Sequence, residues 1–219
     1  MINSRYILPL LCMLLAITAW AQPRLARPEV YVGVHGGAMM STVLFSPSVA
    51  NIDLKQAPLT MNGGLVFRYA GHKVCAIQAE LNYMQRGWHE GNGNYDYVRQ
   101  LDYIEVPLLM HLYFGKKAFR GFFNLGPQIG YCIGDKQTGT PLHPDKPQYL
   151  PLEHSFDWGL AAGLGCYVRT KKAGVFQLEA RGNFSLGTIY NNRKVDYFSQ
   201  SNHANVSLNL AYLWQLKIK

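Results

Sequence analysis

What the 219-residue chain lacks narrows the field first. It has four cysteines, no two of them spaced Cys-x-x-Cys. That excludes the dense disulfide framework of small secreted domains and the thiolate sets that hold structural zinc. Charged residues make up 16%, below the quarter usual for soluble domains. No Gly-x-x-x-x-Gly-Lys-Ser/Thr stretch occurs, so a phosphate-cradling loop is excluded. Past the N-terminal segment, no apolar run reaches the roughly 20 residues that a membrane-spanning helix needs. The mature chain is therefore either soluble or crosses lipid as a closed barrel, the only other structure that satisfies its backbone there.

What is present begins with an export signal. Arg5 supplies the positive flank, and Ile7 to Ile17 form an apolar run broken only by Pro9. Ala19-Trp20-Ala21 is a small-x-small cleavage site before Gln22. Residues 1–21 read as a cleaved signal peptide and 22–219 as one mature domain. Cys12 follows Leu11 rather than a small residue, which argues against a lipoprotein anchor. Cleavage leaves Cys75, Cys132 and Cys166, which cannot all pair and read as small apolar residues. The net charge of +8 falls to +7 when Arg5 leaves. On an exported chain that charge does not point to nucleic acid.

The mature part alternates apolar and polar residues in eight segments: 30–40, 59–69, 74–86, 98–114, 119–132, 156–169, 175–187 and one that ends the chain. The last is the cleanest. Val206, Leu208, Leu210, Tyr212, Trp214, Leu216 and Ile218 share one face, and Asn205, Ser207, Asn209, Gln215, Lys217 and Lys219 the other. Period two marks a strand. Soluble strands run to about five or six residues, whereas a tilted membrane strand needs about 9–11. Short connections at 70–73, 115–118 and 170–173 alternate with long ones at 41–58, 87–97, 133–155 and 188–203. The third long one carries Pro141, Pro144, Pro147 and Pro151, which block regular pairing. The pattern predicts an all-β fold: an eight-stranded antiparallel transmembrane β-barrel, an up-and-down meander with short periplasmic turns and long outer loops.

Two barrels share this alternation. A soluble ligand-binding barrel turns its apolar face inward, and a membrane barrel turns it outward. The polar face here is made of Asn, Gln, Gly and Ser with few charges, which suits a narrow interior. The charges assigned to it are Arg68, Glu80, Glu105, Asp157, Glu179 and Arg181, with Arg120 and Arg169. They are expected to pair across strands and plug the lumen, since buried charges need partners. A water-filled, ion-selective pore is the alternative. Tyr69, Tyr83, Trp88, Tyr113, Phe114, Phe119, Trp158, Tyr190, Tyr212 and Trp214 lie near segment ends, where interface girdles belong.

Nothing assigns a catalytic, cofactor-binding or metal-binding residue. His35, His111 and Ser185 fall on the lumen face, and His89, His143, His154 and His203 in or near outer loops. The best candidates for a catalytic pairing are His89 with Glu90 and His154 with Asp157, but no spacing singles out a nucleophile with its base. The short turns are basic, with His72-Lys73, Lys116-Lys117 near Arg120, and Lys171-Lys172 after Arg169. Such turns suit anionic phospholipid.

Five stretches, in order, resemble the PorT-like outer-membrane β-barrel family of Bacteroidota, within the wider group of small OmpX- and OmpA-like barrels. They are Gln78-Ala79-Glu80-Leu81-Asn82-Tyr83-Met84-Gln85-Arg86-Gly87, Leu101-Asp102-Tyr103-Ile104-Glu105-Val106-Pro107-Leu108-Leu109, Asn124-Leu125-Gly126-Pro127-Gln128-Ile129-Gly130-Tyr131, Phe156-Asp157-Trp158-Gly159-Leu160 on to Gly165, and Gln177-Leu178-Glu179-Ala180-Arg181. Many such barrels end on an aromatic residue, whereas this chain ends Lys217-Ile218-Lys219. The resemblance implies the outer membrane as location, outer-membrane lipid as surroundings, and no cofactor. Relatives of the founding member are linked to secretion and gliding machinery, so cell-surface or secretion-machinery proteins are the partners it implies. The function expected is structural or interactive, through the outer loops and without catalysis. A narrow porin-like channel and a lipid-modifying enzyme are the alternatives.

Overall fold

Alternation at period two over long segments yields long strands. The computed structural model describes residues 24–46, 54–55, 59–92, 95–115, 118–139, 152, 154–170, 174–187 and 200–216. The expected signal peptide, the four prolines of the third long connection, His143 and Tyr190 lie outside them. The strands are β1 (Arg24–Ser46), β2 (Thr60–His72), β3 (Cys75–Asn92), β4 (Tyr95–Phe114), β5 (Phe119–Gly139), β6 (Phe156–Thr170), β7 (Gly174–Ser185) and β8 (Gln200–Leu216). A two-residue rung, Leu54–Lys55, pairs with Glu90 and His89 of β3. Each strand pairs antiparallel with the next. β1 also pairs with β8, from Val30 opposite Leu216 to Ser46 opposite Gln200, so the sheet closes on itself.

The two faces sort as a membrane barrel requires. Val206, Leu208 and Leu210 are 65%, 57% and 68% exposed, whereas Asn205, Ser207 and Asn209 between them are 2–3% exposed. The same split holds on β7, where Phe176, Leu178 and Phe184 face out and Gln177, Glu179, Arg181 and Asn183 are buried. An apolar exterior around a polar interior excludes the soluble ligand-binding alternative. Not all of the interior is polar. Tyr31, Val66, Tyr113, Phe122, Tyr167 and Leu213 form an apolar layer at the end with the short turns. Val43, Trp88, Leu101, Tyr103 and Cys132 form a second toward the end with the long hairpins.

Several boundaries differ from the expectation. The segment predicted to end at Arg86 continues as β3 to Asn92, and its partner β4 begins at Tyr95. The predicted loop 87–97 is thus a paired hairpin, with Gly87 opposite Gln100 and Asn92 opposite Tyr95. Its Gly and Asn content imitates a turn, but the alternation continues: Arg86, Trp88 and Glu90 all point inward and are buried. β1 likewise runs on to Ser46, β5 runs on to Gly139, and β8 starts at Gln200. Trp88 and Tyr113, expected in the girdles, face the lumen. Tyr69, Tyr83, Phe114, Phe119, Trp158 and Trp214 do face outward, and Tyr212 is half-buried.

On β3, β4 and β5 the outward residues change character at one level. Beyond Tyr83, Ile104 and Tyr131 the outward residues are mostly polar, Gln85, His89, Asp96, Gln100 and Lys136, with Ile133 and Val98 the apolar ones among them. His89 Nε2 and Asp96 Oδ1 meet at 2.5 Å on this face. The three strands therefore continue past the apolar band, by roughly 20–25 Å along β3 at about 3.4 Å per residue.

Closure needs close backbone approach. A Cβ at Gly37 would sit 2.1 Å from the Leu208 carbonyl oxygen across the β1–β8 seam. At Gly182 the nearest atom would be 3.9 Å away. Gly37→Val is expected to abolish the gel-mobility difference between boiled and unboiled protein that marks a closed barrel. Gly182→Ala is expected to leave that difference intact.

Candidate functional site

Among the described residues, buried charge concentrates in the lumen. At mid-height Arg181 of β7 reaches Glu80 of β3, on the opposite wall, with contacts of 2.5 and 2.7 Å. It also donates to Glu179 on its own strand at 3.0 and 2.9 Å. Glu80 accepts further bonds from Gln78 at 2.5 Å and Asn82 at 2.9 Å. Glu179 accepts from Asn124 at 2.9 Å and Gln177 at 3.2 Å. His35 lies 3.8 Å from Glu80 and 2.7 Å from the Asn82 side-chain oxygen. Strand alternation aims all these residues inward, and in either direction round the eight-strand ring three strands lie between the Arg181 and Glu80 partners.

A second cluster lies nearer the long hairpins. Arg86 of β3 pairs with Glu105 of β4 and with Asp157 of β6, the latter at 2.6 Å. Its guanidinium stacks 4.8 Å from the Tyr103 ring centre. Ser185 donates to Asp157 at 2.5 Å. Beyond it Arg99 forks onto Asp135 at 2.9 and 2.5 Å, and the Trp88 indole donates to buried Glu90 at 2.8 Å. Toward the short turns, Arg68 donates to the amide oxygens of Gln78 at 2.7 Å and Gln177 at 2.5 Å. Amide pairs fill the intervals, with Asn183 donating to Gln128 and Asn62 to Asn209. Charge-assisted bonds of this kind offset the cost of taking ions out of water only when the remaining acceptors are also satisfied.

Arg68, Glu80, Glu105, Asp157, Glu179 and Arg181 thus all lie buried inside the barrel. Five of them join the two ion clusters, and Arg68 rests on amides. Arg169 sits at the short-turn mouth, forked onto Glu29 at 3.0 and 2.8 Å, and Arg120 lies over the Tyr113 ring. The sequence reading missed Arg86, the hub of the second cluster, along with Arg99 and Glu90. The signal was available, since Arg86 and Glu90 keep the parity of Gln78, Glu80 and Asn82. Among the described residues, small spaces of about 10 and 20 Å3 lie in the lumen. Each is of the order of a single water.

Neither His–carboxylate pair that the sequence offered comes together. Ser185 is committed to Asp157. His203, expected in or near an outer loop, is buried inside β8 and meets Tyr103 edge-on at 5.8 Å. The register places it one rung beyond the Ala204–Phe184 pair. His89 faces outward while Glu90 turns inward, so that pair is split across the wall. His154 is exposed and Asp157 is buried. Among the described residues no group of three or more His, Cys, Asp or Glu could hold a metal.

Removing one partner of a buried ion cluster strands the others. Arg181→Met is expected to cost about 3–5 kcal/mol in denaturant unfolding of the folded barrel. Adding Glu80→Gln and Glu179→Gln to it is expected to restore most of that loss. A triple variant no more stable than the single one would show that the cluster does not act as a unit.

Residues 20–191 match the model of the outer membrane protein beta-barrel domain family. Among solved structures, the outer membrane protein OprG from Pseudomonas aeruginosa superposes with a TM-score of 0.52 at 11% identity, covering 85% of this chain and 96% of that one. Ail of Yersinia pestis gives 0.44 at 12% identity, covering 85% and 99%. The outer membrane protein W of E. coli gives 0.42 at 14% identity, covering 85% and 97%. No curated protein sequence matches the chain. At such identities the likeness to OprG concerns the fold alone. With a closed ring of eight strands, an apolar exterior and a family match over most of its length, the chain belongs to the outer membrane protein beta-barrel domain family.

Proposed function

We propose that the protein is a non-conducting outer-membrane barrel that holds a rigid recognition surface at the cell exterior. The observation that carries this reading is the change of the outward face on β3, β4 and β5 from apolar to polar, with strand pairing continuing beyond it. Ordered strand outside the apolar band serves no purpose in lipid. It does present side chains in fixed positions to a partner. A rigid scaffold bearing its contacts on loops and hairpin ends is the common arrangement for binding.

The filled lumen supports the non-conducting half of the proposal. Eight strands enclose a space that side chains can fill, and here two ion clusters and two apolar layers occupy it. In this reading the long hairpins face outward and the short turns face the periplasm, as is general for such barrels. The strand motifs that resemble the PorT-like family favour a protein partner at the cell surface or in secretion machinery. The barrel has no chemical step to perform and needs no cofactor.

Two measurements test the reading. Purified barrel in a planar lipid bilayer is expected to give no discrete conductance steps, and steady single-channel currents would contradict it. A membrane-impermeant amine reagent applied to intact cells is expected to label Lys136, exposed at the hairpin end, and to spare Lys73, exposed in a short turn. The reverse labelling would invert the orientation.

A further inference from the structure

Three grooves of about 390, 610 and 680 Å3 indent the lipid-facing wall. The middle one differs from its neighbours because it runs to a basic turn. Tyr69, Ile77, Leu108, Leu125 and Pro127 line it, and it ends at His72. The next residue, Lys73, is exposed. Among the described residues that line the other two, none is a basic residue on the outer face.

The dent has a cause in the sequence. The β4–β5 ladder lapses between Pro107 opposite Gln128 and Met110 opposite Leu125. Pro127 lies in that gap and has no N–H to give. Gly126 beside it has no side chain, and a Cβ there would lie 2.0 Å from the Leu108 carbonyl oxygen. The basic end is held in place. The Tyr113 hydroxyl donates to the His72 carbonyl at 2.5 Å, and the Tyr113 N–H to the Val74 carbonyl at 2.9 Å. The turn backbone that carries His72 and Lys73 is therefore held at the end of the groove.

An apolar trough that runs up to an exposed lysine suits an amphiphile with a hydrocarbon chain and an anionic head. We propose that this groove is a retained site for one anionic phospholipid of the periplasmic leaflet, its acyl chain against Leu108, Leu125 and Pro127 and its phosphate at His72–Lys73. The proposal rests on the orientation given above, which places the short turns at that leaflet. A single Lys near a lipid surface changes binding to anionic headgroups about fivefold.

The test is native mass spectrometry of full-length mature barrel extracted in mild detergent from the outer membrane of a Gram-negative host. The expected result is one phosphatidylglycerol retained per barrel in preference to zwitterionic phosphatidylethanolamine. Lys73→Glu, a change in an exposed turn, is expected to lower that occupancy at least about fivefold. Met110→Trp, which fills the trough, is expected to lower it similarly. Both variants should keep the boiled-to-unboiled mobility difference. Equal retention of the two lipids, or retention untouched by either substitution, would overturn the proposal and leave only unspecific surrounding lipid. Retention of lipopolysaccharide instead, lost in both variants, would overturn it by placing this rim outside. The Lys136 and Lys73 labelling separates that failure of orientation from failure of the site.

Discussion

A backbone in hydrocarbon has no water to accept or donate its hydrogen bonds, so a sheet that crosses lipid must have no free edge. The seam between β1 and β8 meets that constraint here, and the rest of the structure follows from it. Pairing from Val30–Leu216 to Ser46–Gln200 joins the first strand to the last. Closing with eight strands leaves a narrow interior. That interior must be filled without stranding a polar atom, while the exterior must be apolar. Period-two alternation serves both faces at once, since each strand gives one face to lipid and the other, mostly hydrogen-bonded, to the lumen.

The filling is itself a constraint on function. Apolar residues alone could pack the interior, but this chain sets charges there and ties opposite walls together through Arg181 and Glu80. Such clusters add little net stability over well-packed apolar groups. They do fix geometry, because an arginine with several defined acceptors tolerates few arrangements. A lumen built this way acts as a strut. It gives β3, β4 and β5 a stiff base from which to extend beyond the apolar band. The proposed functions accordingly lie on surfaces: the projecting sheet at one end, and the grooved wall with its basic turn at the other.

Alternation made most of the barrel legible from the residues alone. Strand number, strand order, the short turns and the facing of β8 and β7 all follow from where apolar residues recur. The misreadings have one physical origin. Gly87, Gly91 and Asn92 are residue types that favour turns, and ending the segment at Arg86 on their account puts Trp88 at the membrane surface and Glu90 in a loop. Parity would have corrected it, because Gln78 to Glu90 keep one face throughout. His203 was misplaced for the same reason, since β8 begins before the clean alternation does. The partners of the buried charges were not readable at all. Arg181 and Glu80 lie 101 residues apart, and Arg86 and Asp157 lie 71 apart. Only the closed ring brings them together.

The central claim is that the wall's two faces are sorted as described, and Leu213 offers the sharpest check because it is apolar yet fully buried in the lumen. Nuclear Overhauser contacts between lipid acyl protons and leucine methyls, recorded for the barrel in lipid nanodiscs, would read each face directly. The account requires contacts from acyl chains to the methyls of Leu208 and Leu210 and none to those of Leu213. Acyl contacts to Leu213, with Leu208 and Leu210 silent, would mean that the faces are inverted and that the apolar side chains line an interior cavity.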